Sequence, residues 1–214
     1  MKNIILLGPP GAGKGTQSAN ILENFNYIHL STGDLIRTNI VNKTHLGKIC
    51  QAYSEKGQLV PDDIMIEIVK DYLSKVSNNV VWDGFPRTVI QAKKLDDLLA
   101  NLSTQIDLVI NLDIDKDLLK QRIIGRRVCL TCGTSYHVNF AKPKVDNVCD
   151  KDQTTLTHRK DDTEEKFEVR YQEFIKGTKP LVDYYSLQNK LINIDANKEF
   201  HLIWNEMKSL IENI

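Results

Sequence analysis

Nine consecutive residues, Gly8-Pro9-Pro10-Gly11-Ala12-Gly13-Lys14-Gly15-Thr16, carry the clearest chemistry in the chain. Small residues let backbone N–H groups converge on phosphate oxygens, and a helix opening there adds partial positive charge. Lys14 supplies a point charge for the β- and γ-phosphates of a nucleotide. The pattern departs from the strict phosphate loop: Gly15 stands where Ser or Thr normally ligates Mg²⁺, and the hydroxyl follows at Thr16. Asp83, in Trp82-Asp83-Gly84-Phe85-Pro86-Arg87, is a candidate to orient water on Mg²⁺; a turn or helix-capping aspartate is the plainer alternative.

Cysteines form the second constellation. Cys129-x-x-Cys132 is followed by Cys149-x-x-Asp152, two ligand pairs with the spacing of a zinc knuckle in which carboxylate oxygen takes the fourth place. His137 or His158 is an alternative fourth ligand. A redox dithiol at Cys129 and Cys132, or plain packing cysteines, are the competing readings, but a third cysteine at matching distance has no part in a dithiol. Four protein ligands leave no position for water, so the metal would be structural. Cys50 lies outside this group and is expected to be buried.

These residues need elements to position them. Ile4-Ile5-Leu6-Leu7 reads as a buried strand feeding the loop, with a helix to Leu22 after it. Tyr27 to Leu30 is a second strand, ending in the turn and helix start Ser31-Thr32-Gly33-Asp34. A helix is predicted over Asp34 to Lys56, and another begins at Pro61, where the missing N–H costs nothing. Asn79 to Asp83 is a strand that delivers Asp83 and Arg87 to the carboxyl edge, where ligands sit in open α/β sheets. Gln91 to Leu102, Asp115 to Ile124, Thr163 to Tyr185 and Glu199 to Glu212 read as helices, and Ile106 to Leu112 and Lys190 to Ile194 as strands. The helix after Asp115 is expected to set Arg122 and Arg126 one turn apart on one face. Between Val128 and Lys160 the rhythm changes to cysteines, threonines and short alternating stretches. Five strands separated by helices predict an α/β fold, a parallel sheet covered on both faces.

Lys plus Arg and Asp plus Glu are 28 each in 214 residues, so no global field favours nucleic acid or an anionic membrane. The apolar start is too short for a secretory signal, and no stretch approaches a membrane span. A cytoplasmic monomer is the expectation.

Gly8 to Thr16, Ser31-Thr32-Gly33-Asp34, Asp83 to Arg87, Gly125-Arg126-Arg127 and Arg159-Lys160-Asp161-Asp162 together resemble the adenylate kinase family in its long-lid form, over nearly the whole chain. The resemblance implies a nucleoside monophosphate kinase that transfers a phosphoryl group reversibly from Mg·ATP to AMP, giving two ADP. It implies a core of residues 1–30, 61–125 and 163–214, a monophosphate-binding segment at 31–60 and a lid at 126–162. In such chemistry positioning and charge neutralisation dominate, and arginine suits it because its planar fork grips phosphate. By resemblance, Lys14, Arg126, Arg159 and Arg170 surround the transferring group, and Arg37 and Arg87 hold the acceptor phosphate. The donor site would take in Gly11, Ala12, Gly13, Lys14, Gly15, Thr16, Arg126, Tyr136 and Lys198, with Arg122 stacked near the base and His137 as a second contact to it. An ordinary packing role for His137 is the alternative. Thr32, Leu59, Val60 and Gln91 would receive the acceptor base, and Gly84, Phe85, Arg159 and Arg170 would complete that site. Zinc in the lid accords with lids of some bacterial members.

Rival readings are a kinase with other nucleotides, a nucleotide-dependent switch, and a zinc-ribbon nucleic-acid binder. The second arginine pair argues against the switch, and the neutral charge balance against the binder.

Overall fold

The computed structural model describes residues 1–56, 58, 60–76 and 78–214. A five-stranded parallel sheet has the order β2-β3-β1-β4-β7, built from β1 (Asn3–Leu7), β2 (Tyr27–Ser31), β3 (Asn79–Asp83), β4 (Leu108–Asp113) and β7 (Leu191–Asp195). Every residue of β1 is buried, as a central parallel strand covered on both faces requires.

Strand alternation divides the core in two. Ile5 and Leu7 face a cluster closed by helices α2 (Thr32–Val41), α3 (His45–Ser54), α4 (Asp62–Leu73), α5 (Val89–Asn101) and α8 (Pro180–Ser186). Ile4 and Leu6 face the other, closed by α1 (Lys14–Asn24), α6 (Lys116–Ile124), α7 (Glu164–Glu173) and α9 (Phe200–Glu212). A period of two along one strand thus dictates two helical layers. Cys50 is fully buried.

Three expectations are corrected. The single helix over Asp34 to Lys56 is two helices: Lys43 turns the chain with φ 52° and Thr44 caps α3 by accepting from Gly47 N at 2.9 Å. The apolar pattern runs on through this break and hides the capping residue. The helix from Thr163 to Tyr185 widens into a π-turn over Phe174–Thr178 before α8, an irregularity often found at functional sites. Arg126 does not continue α6; the helix ends at Ile124, and Arg126 opens strand β5 (Arg126–Val128), which pairs antiparallel with β6 (Ser135–His137). The irregular stretch from Val128 to Lys160 is this small sheet with its bridges Val128 to Thr157 and Val148 to Thr155. No helix among the described residues is long and apolar enough to cross a membrane.

Candidate functional site

The chain leaves β1 into a loop whose Gly13 takes φ 99° and starts α1, a left-handed conformation that glycine adopts without a Cβ penalty. Lys14 Nζ donates to the loop's own carbonyls, Gly8 O at 2.7 Å and Pro9 O at 3.0 Å. Its pKa is lowered to about 8, by burial above all and then by the charges of Arg87, Arg170 and Arg126, with Asp83 opposing. A lysine so placed lacks a full countercharge. Phosphate would supply it.

Asp83 ends β3 beside the loop, within 3.7 Å of where a side chain on Gly15 would begin. Burial alone would raise its carboxyl; the His29 hydrogen bond at 3.3 Å and the charges of Lys14, His29 and Arg87 hold it below its usual value. It therefore stays ionised, as a carboxylate that orients metal-bound water must. Thr16 N donates to Gly13 O at 3.1 Å in the first turn of α1.

After Asp83, Gly84 turns with φ 75°, and a Cβ there would lie 2.9 Å from Arg87 Nη2 and 3.2 Å from Thr32 Oγ1. The Gly84 carbonyl accepts from both Thr32 Oγ1 and Arg87 Nε, each at 2.7 Å. The missing side chain at 84 is what lets the start of α2, the end of β3 and the guanidinium meet.

Four further arginines converge. Arg126 is forked onto the fully buried Asp162 carboxylate, Nε to Oδ2 at 2.8 Å. Arg170 Nη1 reaches Asp161 Oδ2 at 3.1 Å and Asp162 Oδ1 at 3.6 Å. Arg37 pairs with Asp34. Arg159 has its pKa pushed down to about 10, first by burial and then by Arg126 and Arg37. Arg87 and Arg170 are also lowered, each mainly by burial. Crowding guanidinium groups in this way is unfavourable unless an anion joins them.

Two clefts open on this cluster. One is lined by Thr32, Gly33, Ile36 and Arg37 of α2, by Val60, Met65 and Gln91, and by Asp161. The other lies over the phosphate loop, between Gly8, Pro10 and Lys14 on one side and Glu173, Phe174 and Thr178 on the other. Gly84, Arg87 and Arg170 line both. Leu59 lies outside the described residues.

Phe85, Tyr136, His137, Arg122 and Lys198 lie outside the two clefts. Phe85 lines neither cleft; its ring is buried in the core 6.1 Å from Trp82, because alternation after β3 turns it inward. Tyr136 is buried in the small cluster with Cys129, Cys149 and Leu156, and its hydroxyl accepts from Asp150 N at 2.8 Å. Both nitrogens of His137 are engaged: Nδ1 accepts from Asn139 N and Phe140 N, which leaves the proton on Nε2 to donate to Gln121 O at 3.1 Å. Arg122 donates to Ala196 O at 3.2 Å, and Lys198 pairs with Glu206 at 3.3 Å. Arg122 and Lys198 thus flank the turn after β7.

The sequence reading did not single out Ile36, Met65, Glu173 or Thr178. Ile36 and Met65 carry only the ordinary signal of a helix's apolar face. Thr178 faces the cleft through the π-turn, where its hydroxyl donates to Arg87 O at 3.1 Å.

The donor atoms of Cys129, Cys132, Cys149 and Asp152 lie within 4.8 Å of one another. Tetrahedral zinc with Zn–S of about 2.3 Å requires sulfurs about 3.8 Å apart; Cys132 and Cys149 are separated by 3.6 Å, and Asp152 Oδ2 is 3.1 Å from Cys129 Sγ. Thr154 N fixes the carboxylate by donating to Asp152 Oδ1 at 3.0 Å. Among the described residues neither His137 nor His158 joins the group. The site is a Cys₃Asp cluster fitted to zinc.

The family model for adenylate kinase matches residues 6–190. The chain is 47% identical over 211 residues to an adenylate kinase of Clostridium tetani, with 98% of each chain covered. It is 45% identical over 206 residues to one of Clostridioides difficile, covering 95% of each, and 43% identical over 211 residues to one of Bacillus subtilis, covering 98% of this chain and 97% of the relative. On this evidence the chain belongs to the adenylate kinase family.

Proposed function

We infer that the protein catalyses reversible transfer of the terminal phosphoryl group of ATP to AMP, giving two ADP. The observation that carries this reading is the pair of clefts that meet at Arg87 and Arg170 above the phosphate loop. One cleft suits a nucleoside triphosphate's phosphates and the other a nucleoside monophosphate.

In the proposed reaction an AMP phosphate oxygen attacks the γ-phosphorus as the bond to the β-phosphate oxygen breaks. The attacking phosphate is largely dianionic at neutral pH, its second pKa being about 6, so no general base is needed. Amides of Gly11 to Thr16 cradle the donor phosphates, and Lys14 releases its loop carbonyls to reach them. Arg126, Arg159 and Arg170 neutralise charge on the transferring group; Arg37 and Arg87 hold the acceptor. One such arginine contributes about 10³ to 10⁵ in rate, or roughly 4 to 7 kcal/mol. Bound Mg²⁺ would neutralise further charge on the donor phosphates, and Asp83 is the residue proposed to hold it, through water.

Thr32, Ile36, Val60, Met65 and Gln91 make the proposed acceptor-base pocket, with Leu59 assigned by resemblance. The donor base is assigned to Arg122 and the turn at Lys198; the backbone of Tyr136 and the ring face of His137 remain for it, since their polar atoms are committed. Residues 31–60 and 126–162 are proposed to move as monophosphate-binding segment and lid on the core, closing out water so that ATP is not hydrolysed. Zinc at Cys129, Cys132, Cys149 and Asp152 would brace the lid. The protein is proposed to act as a monomer.

A coupled assay tests the reading. ADP formation should require ATP and AMP together across a panel of nucleotides; acceptor-independent hydrolysis would refute it.

A further inference from the structure

Gln91 is 2% exposed and borders the cleft assigned to the acceptor base. Its side-chain amide is held from both ends by different elements. Nε2 donates to Asp62 Oδ1 at 2.6 Å, at the start of α4, and Oε1 accepts from Arg87 N at 2.7 Å, in the loop after β3. Asp62 also accepts from Thr88 Oγ1 at 3.2 and 3.1 Å, and Thr88 in turn caps α5 by accepting from Gln91 N at 3.1 Å. An ionised carboxylate can only accept and a backbone N–H can only donate. The amide therefore has one permitted orientation, set by its partners' chemistry.

That orientation has a consequence for the base. Each amide atom keeps one further bonding position, a second N–H on Nε2 and a second lone pair on Oε1, and neither has a protein partner among the described residues. An adenine edge offers an amino donor beside a ring-nitrogen acceptor, which such an amide matches at both points. A 6-oxopurine offers the reverse, a carbonyl oxygen beside a ring N–H, so in the same pose both contacts become repulsive. Flipping the amide to suit it would set Oε1 against the Asp62 carboxylate and the NH₂ against Arg87 N–H. Sites with fixed, buried polar groups reject mismatched partners strongly for this reason.

We propose that Asp62 is a positioning residue for acceptor specificity: by anchoring the Gln91 amide it makes the site select a 6-aminopurine monophosphate over a 6-oxopurine one. The proposal rests on the reading that Gln91 faces the acceptor base.

The test measures kcat and KM for AMP and for inosine monophosphate in the full-length enzyme. Asp62→Ala should raise KM for AMP, leave KM for ATP unchanged, and lower the AMP-to-inosine-monophosphate ratio of kcat/KM at least tenfold. Asp62→Asn, whose amide oxygen still accepts from Gln91, should keep most of the ratio, which a purely electrostatic role for the carboxylate would not allow. Asp62→Ala protein with native melting and an unchanged ratio overturns the proposal. Gln91→Leu separates the two layers. If it lowers the ratio while Asp62→Ala does not, the base pocket stands and the role of Asp62 falls; if it leaves KM for AMP unchanged, the base pocket itself is misassigned and the proposal falls with it. Should Asp62→Ala fail to fold, the unaltered protein decides: a trans-hydrogen-bond NMR coupling between Gln91 Nε2 and the Asp62 carboxyl carbon is expected, and its absence overturns the proposal.

Discussion

Lys14 shows how a single side chain is held in tension by the site it serves. Its pKa of about 8 reflects burial among arginines with only Asp83 to oppose them. A polyphosphate raises that pKa again, so binding near pH 8 should take up a proton, and ATP affinity should fall as pH rises through 8. Calorimetry in buffers of different ionisation enthalpy will measure the uptake. Lys14→Met should abolish turnover by about 10³ or more without lowering the melting temperature of the nucleotide-free protein, since it removes a charge whose burial beside Arg87, Arg170 and Arg126 outweighs what Asp83 and two loop carbonyls return. A large loss of apo stability in a thermal melt would contradict this. At this scale the phosphate loop and the cysteine knuckle were legible in the sequence because each is a local spacing. The Asp62–Gln91–Arg87 arrangement was not: it joins α4, α5 and the loop after β3, and no short window of sequence contains it. His137 could not be read fully from sequence either, because its partners Gln121 and Phe140 reach its two ring nitrogens only once β5 and β6 are folded.

Elements carry the arginines, and their junctions are the sensitive points. A Cβ on Gly47 would lie 2.0 Å from the Asn39 carbonyl oxygen, so glycine is what lets α3 pack against the end of α2. Gly47→Ala should cost about 1 to 3 kcal/mol, the usual range for overpacking, seen as a lower melting temperature. Because α2 also carries Ile36 and Arg37, KM for AMP should rise while KM for ATP changes little; equal changes in both would show that the strain is not confined to α2. The strands and most helices follow from periodicity, β1 above all, whose continuous apolar run is that of a strand buried on both faces. The break at Lys43 and the π-turn before α8 do not, since both are settled by how neighbouring elements pack. Thr178 entered the site through the second of these.

At the scale of the whole molecule, the segment proposed as the lid, 126–162, holds its own two-stranded sheet, separate from the five-stranded one. Within that segment the proposed zinc replaces the hydrophobic core that so few residues cannot build. Chelation should therefore lower the melting temperature markedly while turnover at moderate temperature falls less; metal analysis finding no zinc in protein purified without chelator would contradict the assignment. A second tie reaches the core directly, Lys151 Nζ to Glu23 Oε1 at 3.1 Å on α1. As an exposed pair it is worth about 0 to 1 kcal/mol, so Lys151→Glu should raise KM for ATP no more than about fivefold, and Glu23→Lys in the same chain should reverse the rise, as steady-state kinetics will show. The central claim is that donor and acceptor phosphates meet at the arginines shared by the two clefts. It is tested most directly by following the labelled γ-phosphate of ATP in unaltered and Arg87→Ala protein, both shown to be folded. The account predicts that the label appears in ADP formed from AMP and that Arg87→Ala slows this by about 10³ or more; label released as inorganic phosphate without AMP, or transfer at an unchanged rate in Arg87→Ala, would contradict it.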